Sequence, residues 1–371
     1  MKINILTAKL SEALSFATKP VKRSDLPILE CVKLEASSEG VVSVTGTDLD
    51  CQFTAAAECE FGEAGEIILN AEQLRRIIAA GSKAQFSSEQ LGKTLVCVDD
   101  CSYEIWNDDL VEFPRPLASK FLSSCFVDAN QFIAGLKKVE PFMSSDESRY
   151  SLNCVFVEVT ENFVFLVASD ERTLAIHRIK RNDVCGDCGD FTILSKVVSE
   201  LTKENVSGTC ELDWKTGDSK HFGNIGIYTF AKTVVSKQTE ANFPNYKKVI
   251  PAITEKTFKV EVAATDFKKA ISQVAAIVPD GKAVELQFGL RSTFTVATTK
   301  HQEGKAAALC PIKSSSGAIT AGRIFYNPTL LLRAIEALSG DITIALNESH
   351  HAAMFSDKDT QVIVMPMRVT D

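Results

Sequence analysis

Cys185-Gly186-Asp187-Cys188 has the spacing of a redox pair or of half a zinc site. Zinc takes four N or S ligands, and a thiol pair works only when one sulfur is held as thiolate. No second C-x-x-C and no nearby histidine completes a site, so the stretch reads as a glycine-bearing turn with two incidental thiols. His350 and His351 are adjacent, and neighbours on a strand point to opposite faces, so they do not make a ligand pair. Asp99-Asp100 and Asp108-Asp109 read as solvated loop charges rather than a divided acid and base. There is no glycine-rich phosphate loop, no H-E-x-x-H and no G-x-S-x-G. The expectation is a protein with no catalytic residues, no metal and no cofactor; a β-rich hydrolase built on these groups is the weakest reading.

A chain of 371 residues is too long for one ordinary core and suggests two or three domains. Apolar residues at 45% and charged residues at 24% are ordinary globular proportions. No apolar run approaches the roughly 18 residues of a membrane span. The opening MKINILTAKLSEAL has an early acid and no small-residue cleavage site, unlike a secretory signal. Eleven cysteines, an odd number spread through strand-like segments, fit reduced thiols in a cytoplasmic protein. The net charge of −8 argues against a non-specific nucleic-acid coat, but not against a local basic surface.

The elements repeat. VVSVTGTDLD around Asp48, FVFLVASDER around Asp170 and TFTVATTKHQ around Thr299 are alternating strands that run into small polar turns. In step with them come three amphipathic helices, with apolar pairs Leu10/Leu14, Phe132/Leu136 and Phe267/Ile271 at i and i+4. ILNAEQLRRII, TILSKVVSEL and IFYNPTLLLRAI add three strand–turn–helix units, with Leu74, Val198 and Leu331 facing inward and Pro328 in a first turn. EFPRP (Pro114), NFPNY (Pro244) and VMPMR (Pro366) each close a run of strands. The chain is therefore three copies of about 125 residues, each with two helices and roughly eight short strands, and each itself split in two. An array of this kind is expected to curve. Its domains would be 1–122, 123–252 and 253–371.

Helices are expected over 8–17, 71–80, 129–139, 195–204, 265–277 and 328–338. Their basic residues are Lys9, Arg75, Arg76, Lys137, Lys138, Lys196, Lys203, Lys268, Lys269 and Arg333, and these outnumber the acids Glu12, Glu72, Glu200, Glu204, Asp266 and Glu336. Glutamate suits helices as well as lysine does, so propensity alone does not explain the excess. Equivalent helices in a curved repeat share a face, which collects positive charge suited to loose, sequence-blind contact with a phosphate backbone.

LPIL (Leu26–Leu29), TGTDL (Thr45–Leu49), RYSLN (Arg149–Asn153), FPNYKKVIP (Phe243–Pro251) and VMPMR occur in order along the whole chain. Together they resemble the bacterial β sliding clamp, the processivity subunit of DNA polymerase III. The resemblance implies an α+β fold of three similar clamp domains with antiparallel sheets, joined head to tail in a ring-shaped homodimer. It implies a non-catalytic tether that encircles double-stranded DNA and serves the polymerase III catalytic subunit, the clamp loader and other proteins with clamp-binding motifs, with no membrane involved. The alternative is a ring-shaped clamp paralog that acts mainly as a protein scaffold, as in DNA repair.

The resemblance also implies a cleft for partner peptides, formed by Leu152, Ser169, Arg172, Thr173, Leu174, Pro244, Lys248, Val249, Ile363, Val364, Met365, Pro366, Met367 and Arg368. A flexible, polarizable Met-Pro-Met wall suits varied Leu and Phe anchors. Where the family has Gly-His-Arg-Leu after the aspartate, this chain has Glu171-Arg172-Thr173-Leu174, so its rim is altered. The second helix of the first copy begins NAEQL, where a basic pair is common in relatives, so DNA contact at that start is expected to be weaker. The DNA-facing positions that this resemblance implies are Arg23, Arg149 and Tyr150, with Lys137, Lys138, Lys196, Lys268 and Lys269 on helices. The dimer would join Tyr103 and Ile105 of CSYEIW to Ile277 and Val278 at a helix end, with Asp99, Asp100 and Glu104 opposite Lys300 and Lys305.

Overall fold

The computed structural model describes every residue except 91, 107–111, 118–120, 184–186, 216–222, 240, 256, 290–291, 300–303, 318–321, 348–350 and 369–371. Asp108, Asp109, Cys185, Lys300 and His350 therefore lie outside the described residues. By its contacts the chain divides into two compact units, one of residues 1–130, 182–187 and 203–238, the other of residues 131–181, 188–202 and 239–371.

The helices arise where the i, i+4 apolar pairs stand. They are α1 (Thr7–Ala17), α2 (Ala71–Ile78), α3 (Ala129–Val139), α4 (Ser195–Leu201), α5 (Ala264–Ala275) and α6 (Pro328–Glu336). Leu10, Leu14, Phe132, Leu136, Phe267, Ile271, Leu74, Val198 and Leu331 are all at most 1% exposed, so every position expected to face inward does. Helix ends follow their caps. Asn70 accepts from Gln73 N–H at α2, and Asn327 caps α6 ahead of Pro328. At α4 the equivalent position is Leu194, which has no capping oxygen, and that helix is the shortest, ending at Leu201 rather than residue 204.

All strand pairing is antiparallel. In the first unit a five-stranded sheet runs Glu60–Glu63, Lys2–Leu6, Lys83–Gln90, Lys93–Val98, Cys101–Trp106. An eight-stranded sheet runs Ser123–Asp128, Thr209–Trp214, Asn224–Tyr228, Lys232–Lys237, Cys51–Glu58, Val41–Thr47, Cys31–Ala36, Gly65–Asn70. Its halves come from different copies of the repeat and are joined by the register Lys232↔Ala55 to Ser236↔Cys51. α1 lies so close to this sheet at Gly46 that a β-carbon there would stand 2.3 Å from the Ala17 carbonyl oxygen.

In the second unit a nine-stranded sheet repeats the device. It runs Gly189–Leu194, Cys154–Val159, Phe163–Ser169, Thr173–Lys180, Thr360–Val364, Ala353–Ser356, Asp341–Leu346, Phe258–Ala263, Ser314–Ser316. Here Thr173–Lys180 of the second copy pairs with Thr360–Val364 of the third. A four-stranded sheet runs Ala307–Pro311, Thr293–Thr298, Val284–Phe288, Arg323–Tyr326. Gly135 of α3 fits over His177, Leu166 and Ile179, and a β-carbon there would meet the His177 ring at 2.6 Å. α5 packs on α6 and on the four-stranded sheet. Among the described residues no helix is long and apolar enough to cross a membrane.

Candidate partner-peptide cleft

The turn at Ser169–Thr173 is built by its own side chains. Ser169 Oγ donates to the Thr173 carbonyl at 2.8 Å. Asp170 Oδ1 accepts from Arg172 N–H (3.0 Å), Thr173 N–H (2.7 Å) and Thr173 Oγ1 (2.8 Å). Thr47–Cys51 forms the same turn in the first copy: Thr47 Oγ1 donates to the Cys51 carbonyl at 2.9 Å, and Asp48 Oδ1 accepts from Asp50 N–H and Cys51 N–H. In both, the residue after the aspartate is left-handed, Glu171 at φ 74° and Leu49 at φ 75°, a conformation that costs a side-chain-bearing residue about 1 kcal/mol.

The other oxygen of Asp170 faces α6. Arg333 Nη2 donates to Asp170 Oδ2 at 2.5 Å and to Thr173 Oγ1 at 2.9 Å, while Nη1 reaches the Pro141 carbonyl. The guanidinium lies 5.1 Å from the centre of the Phe142 ring. Burial pushes the Asp170 carboxyl up, but hydrogen bonds from Thr173 and Arg333 outweigh it and hold the group below its usual range.

From this turn the chain enters the sheet, where Thr173 is opposite Val364 and Leu174 opposite Ile363. Beyond the ladder, Met365 N–H donates to the Arg172 carbonyl at 3.0 Å and Met367 N–H to the Phe325 carbonyl at 2.7 Å. Pro366 therefore falls where the chain needs no donor, which is why a proline is tolerated between the two methionines. Leu174 and Ile363 join Val167, Ile176, Tyr246, Ala345 and Met354 in one apolar cluster. The segment from Phe243 lies on it: Phe243 stacks on Phe156 with ring centres 5.0 Å apart, and the Tyr246 hydroxyl and Lys247 both donate to Glu158.

The positions expected to form a cleft divide into floor and rim. Leu152, Thr173, Leu174, Ile363 and Val364 are buried and support the surface. Arg172, Pro244, Lys248, Val249, Met365 and Arg368 are exposed, and Ser169, Pro366 and Met367 partly so. Met365 is 46% exposed, a large apolar side chain left open. Among the described residues the first copy shows no such apolar surface. Phe156, Phe165, Val167, Leu174 and Ile176 correspond in the repeat to Lys33, Ser43, Thr45, Gln52 and Thr54, which line a polar recess of about 560 Å³ beneath Phe113–Pro116.

Asp170, Arg333, Phe325, Tyr246 and Glu158 also build the site and were not expected to. The shared aspartate of TGTDLD and VASDER was a legible signal for Asp170. In the sequence Arg333 reads only as one more basic residue of the helices; in the fold it is bound at the turn.

The other expected contacts scatter more. Arg23 is exposed, and Tyr150 is 68% exposed. Lys137 and Lys269 are exposed, Lys268 pairs with Glu336 at 2.9 Å, and Lys196 is partly buried. Lys138 is drawn inward to Asp357 (3.5 Å) and Thr360 Oγ1 (3.1 Å). Arg149 sits between Asp146 and Glu171. Tyr103 is partly exposed on the edge strand Cys101–Trp106, whereas Ile105 is 3% exposed and belongs to the core. Ile277, 46% exposed, and Val278 lie just past the end of α5. Asp99 accepts from Ser82 and Lys83 N–H, a structural task in its turn.

Sheets shared between successive repeats, with paired helices packed against them, define the clamp class of fold. Residues 1–97 match the family described as DNA polymerase III beta subunit, N-terminal domain. The chain is 23% identical to the beta sliding clamp of Rickettsia bellii and 24% identical to that of Escherichia coli, each over 100% of both chains. Its fold matches the sliding clamps of Pseudomonas aeruginosa (TM-score 0.87, 21% identity) and Bacillus subtilis (TM-score 0.86, 18% identity), again over 100% of both chains. The N-terminal quarter of the chain thus matches the DNA polymerase III β subunit family, and along its whole length the chain is similar in sequence and fold to bacterial β sliding clamps.

Proposed function

We propose that this chain is a DNA sliding clamp: two copies close into a ring around duplex DNA in the cytoplasm and tether the replicative polymerase without catalysing a step. Residues 1–122, 123–252 and 253–371 are its domains. One observation carries the ring. The strand after the aspartate turn pairs with the last strand of the next repeat twice, as Cys51–Glu58 with Lys232–Lys237 and as Thr173–Lys180 with Thr360–Val364. The third such strand, Ala307–Pro311, and the first last-strand, Cys101–Trp106, pair on one side only among the described residues. Two chains arranged head to tail would satisfy both of these edges by the same rule, joining the five-stranded sheet of one chain to the four-stranded sheet of the other.

A ring needs no tight hold on DNA, which suits a chain of net charge −8. The exposed rim around Met365 is the surface for the polymerase catalytic subunit, the clamp loader and other partners with Leu and Phe anchors. The relatives named above are all β sliding clamps, so nothing there favours a scaffold-only paralog. The test is to load the protein on a circular plasmid and then linearise it. Retention on the circle and loss from the line are expected, and equal retention on both would overturn the ring.

A further inference from the structure

The cleft rim carries an internal ion pair. Arg149 Nη1 stands 2.5 Å from the Glu171 carboxylate, and its Nε stands 3.2 Å from Asp146. Glu171 is held there by a left-handed backbone that Leu49 also adopts in the first copy, so the turn imposes the conformation and the side chain is free to vary. The next residue, Arg172, gives its carbonyl to Met365 N–H, so the turn that carries Glu171 is bonded directly to the C-terminal wall. Without Glu171, Arg149 would keep Asp146 as its carboxylate partner and leave Nη1 open to a carboxylate from outside.

We propose that Glu171 is a specificity-determining residue of the cleft: its carboxylate occupies Arg149, so the site disfavours partner peptides with an acidic side chain next to their apolar anchors. The proposal rests on the reading of this surface as the peptide cleft. An incoming carboxylate would have to displace Glu171 from Arg149 or lie against Glu171 and Asp146, and like charges so placed repel. A peptide with a neutral side chain there meets neither cost. The pair is exposed, so the discrimination is several-fold rather than absolute, and salt weakens it.

The test is isothermal titration with two peptides that carry the same Leu and Phe anchors, one with Asp and one with Asn beside them. The native protein should bind the Asn peptide at least threefold more tightly. Glu171→Gln should raise affinity for the Asp peptide three- to tenfold and change the Asn peptide less than twofold. Glu171→Gly, which also relieves the left-handed strain, should do the same. Adding Arg149→Met should abolish the gain. If both peptides bind and the ratio is unmoved by Glu171→Gln, or the gain survives loss of Arg149, the proposal is wrong while the cleft stands. If neither peptide binds the native protein, the cleft reading falls and the proposal with it.

Discussion

Arg333 on α6 grips Asp170 through an Nη2–Oδ2 contact of 2.5 Å and so ties a helix of the third repeat to the aspartate turn of the second. Both side chains are largely shielded, and removing one leaves the other with an unpaired charge. Arg333→Met should lower unfolding stability by about 2 kcal/mol in urea titration at pH 7. Asp170 has a depressed carboxyl pKa in the folded state, so its contribution is present above the unfolded value of about 4 and lost as pH falls through the folded one. The gap between native and variant should therefore narrow below pH 4. A constant gap down to pH 2.5 would mean the carboxylate is not what Arg333 stabilises.

His177 responds in the adjoining, higher pH window. It is buried at the same repeat junction, with Nδ1 2.9 Å from Thr360 Oγ1, and α3 presses on it through Gly135. Burial, helped by the charge of Lys138 on α3 and opposed by the fields of Asp357 and Asp359, lowers its pKa from 6.5 to about 4. The unfolded chain thus binds a proton between pH 6.5 and 4 that the folded chain refuses, and stability falls across that window as pH drops. His177→Gln can keep a hydrogen bond to Thr360 without titrating. Its pH dependence from 7.5 to 4.5 should be weaker by roughly 2 kcal/mol; an unchanged slope would show that His177 is protonated in the fold.

The repeat was legible because each copy restates the same periodic pairs, and every apolar position read as inward is buried. The strand VIVMPMR was legible as the close of the third copy. Its partner was not, since pairing of Thr360–Val364 with Thr173–Lys180 joins segments far apart in sequence. Side-chain charges were the least legible. Lys138, Lys268, Arg149 and Arg333 looked alike as basic residues, and only the fold shows that each meets a carboxylate. Burial of Ile105 was hidden for a related reason: alternation along CSYEIW gives the period of a strand but not what covers its inward face.

Ile277→Arg should give monomers in sedimentation velocity, because a half-exposed apolar side chain just past α5 would become a charge inside the joint between chains. Ile105 is the wrong place for this test, since a charge there would unfold the first sheet. A dimer undisturbed by Ile277→Arg would place the joint elsewhere.

DNA contact is expected to be weak and salt-sensitive. Lys137→Glu with Lys269→Glu should shorten the residence of loaded rings on circular DNA at low salt, with melting temperature unchanged, because both side chains are exposed. Lys138 and Lys268 make poorer probes, as reversal there would set like charges against Asp357 and Glu336. Residence unaffected by the double reversal would move the DNA-facing surface off α3 and α5.

Removal of residues 365–371 separates a binding wall from a structural strand. Thr360–Val364 lies inside the nine-stranded sheet, between Thr173–Lys180 and Ala353–Ser356, and the truncation leaves that ladder whole. What is lost is the Met365 bond to Arg172, the Met367 bond to Phe325 and the exposed side chains themselves. The protein should stay folded by circular dichroism with a modest fall in melting temperature, while binding of a polymerase-derived peptide with Leu and Phe anchors disappears. Burying two such anchors is worth roughly 1.5 to 3 kcal/mol each before ordering costs, enough for micromolar affinity once backbone hydrogen bonds are added. Met365→Ala should remove part of this, a five- to twentyfold loss, because the floor of Leu174 and Ile363 remains in place. Peptide binding that survives in the truncated, folded protein would show that the Met-Pro-Met segment is no part of the site.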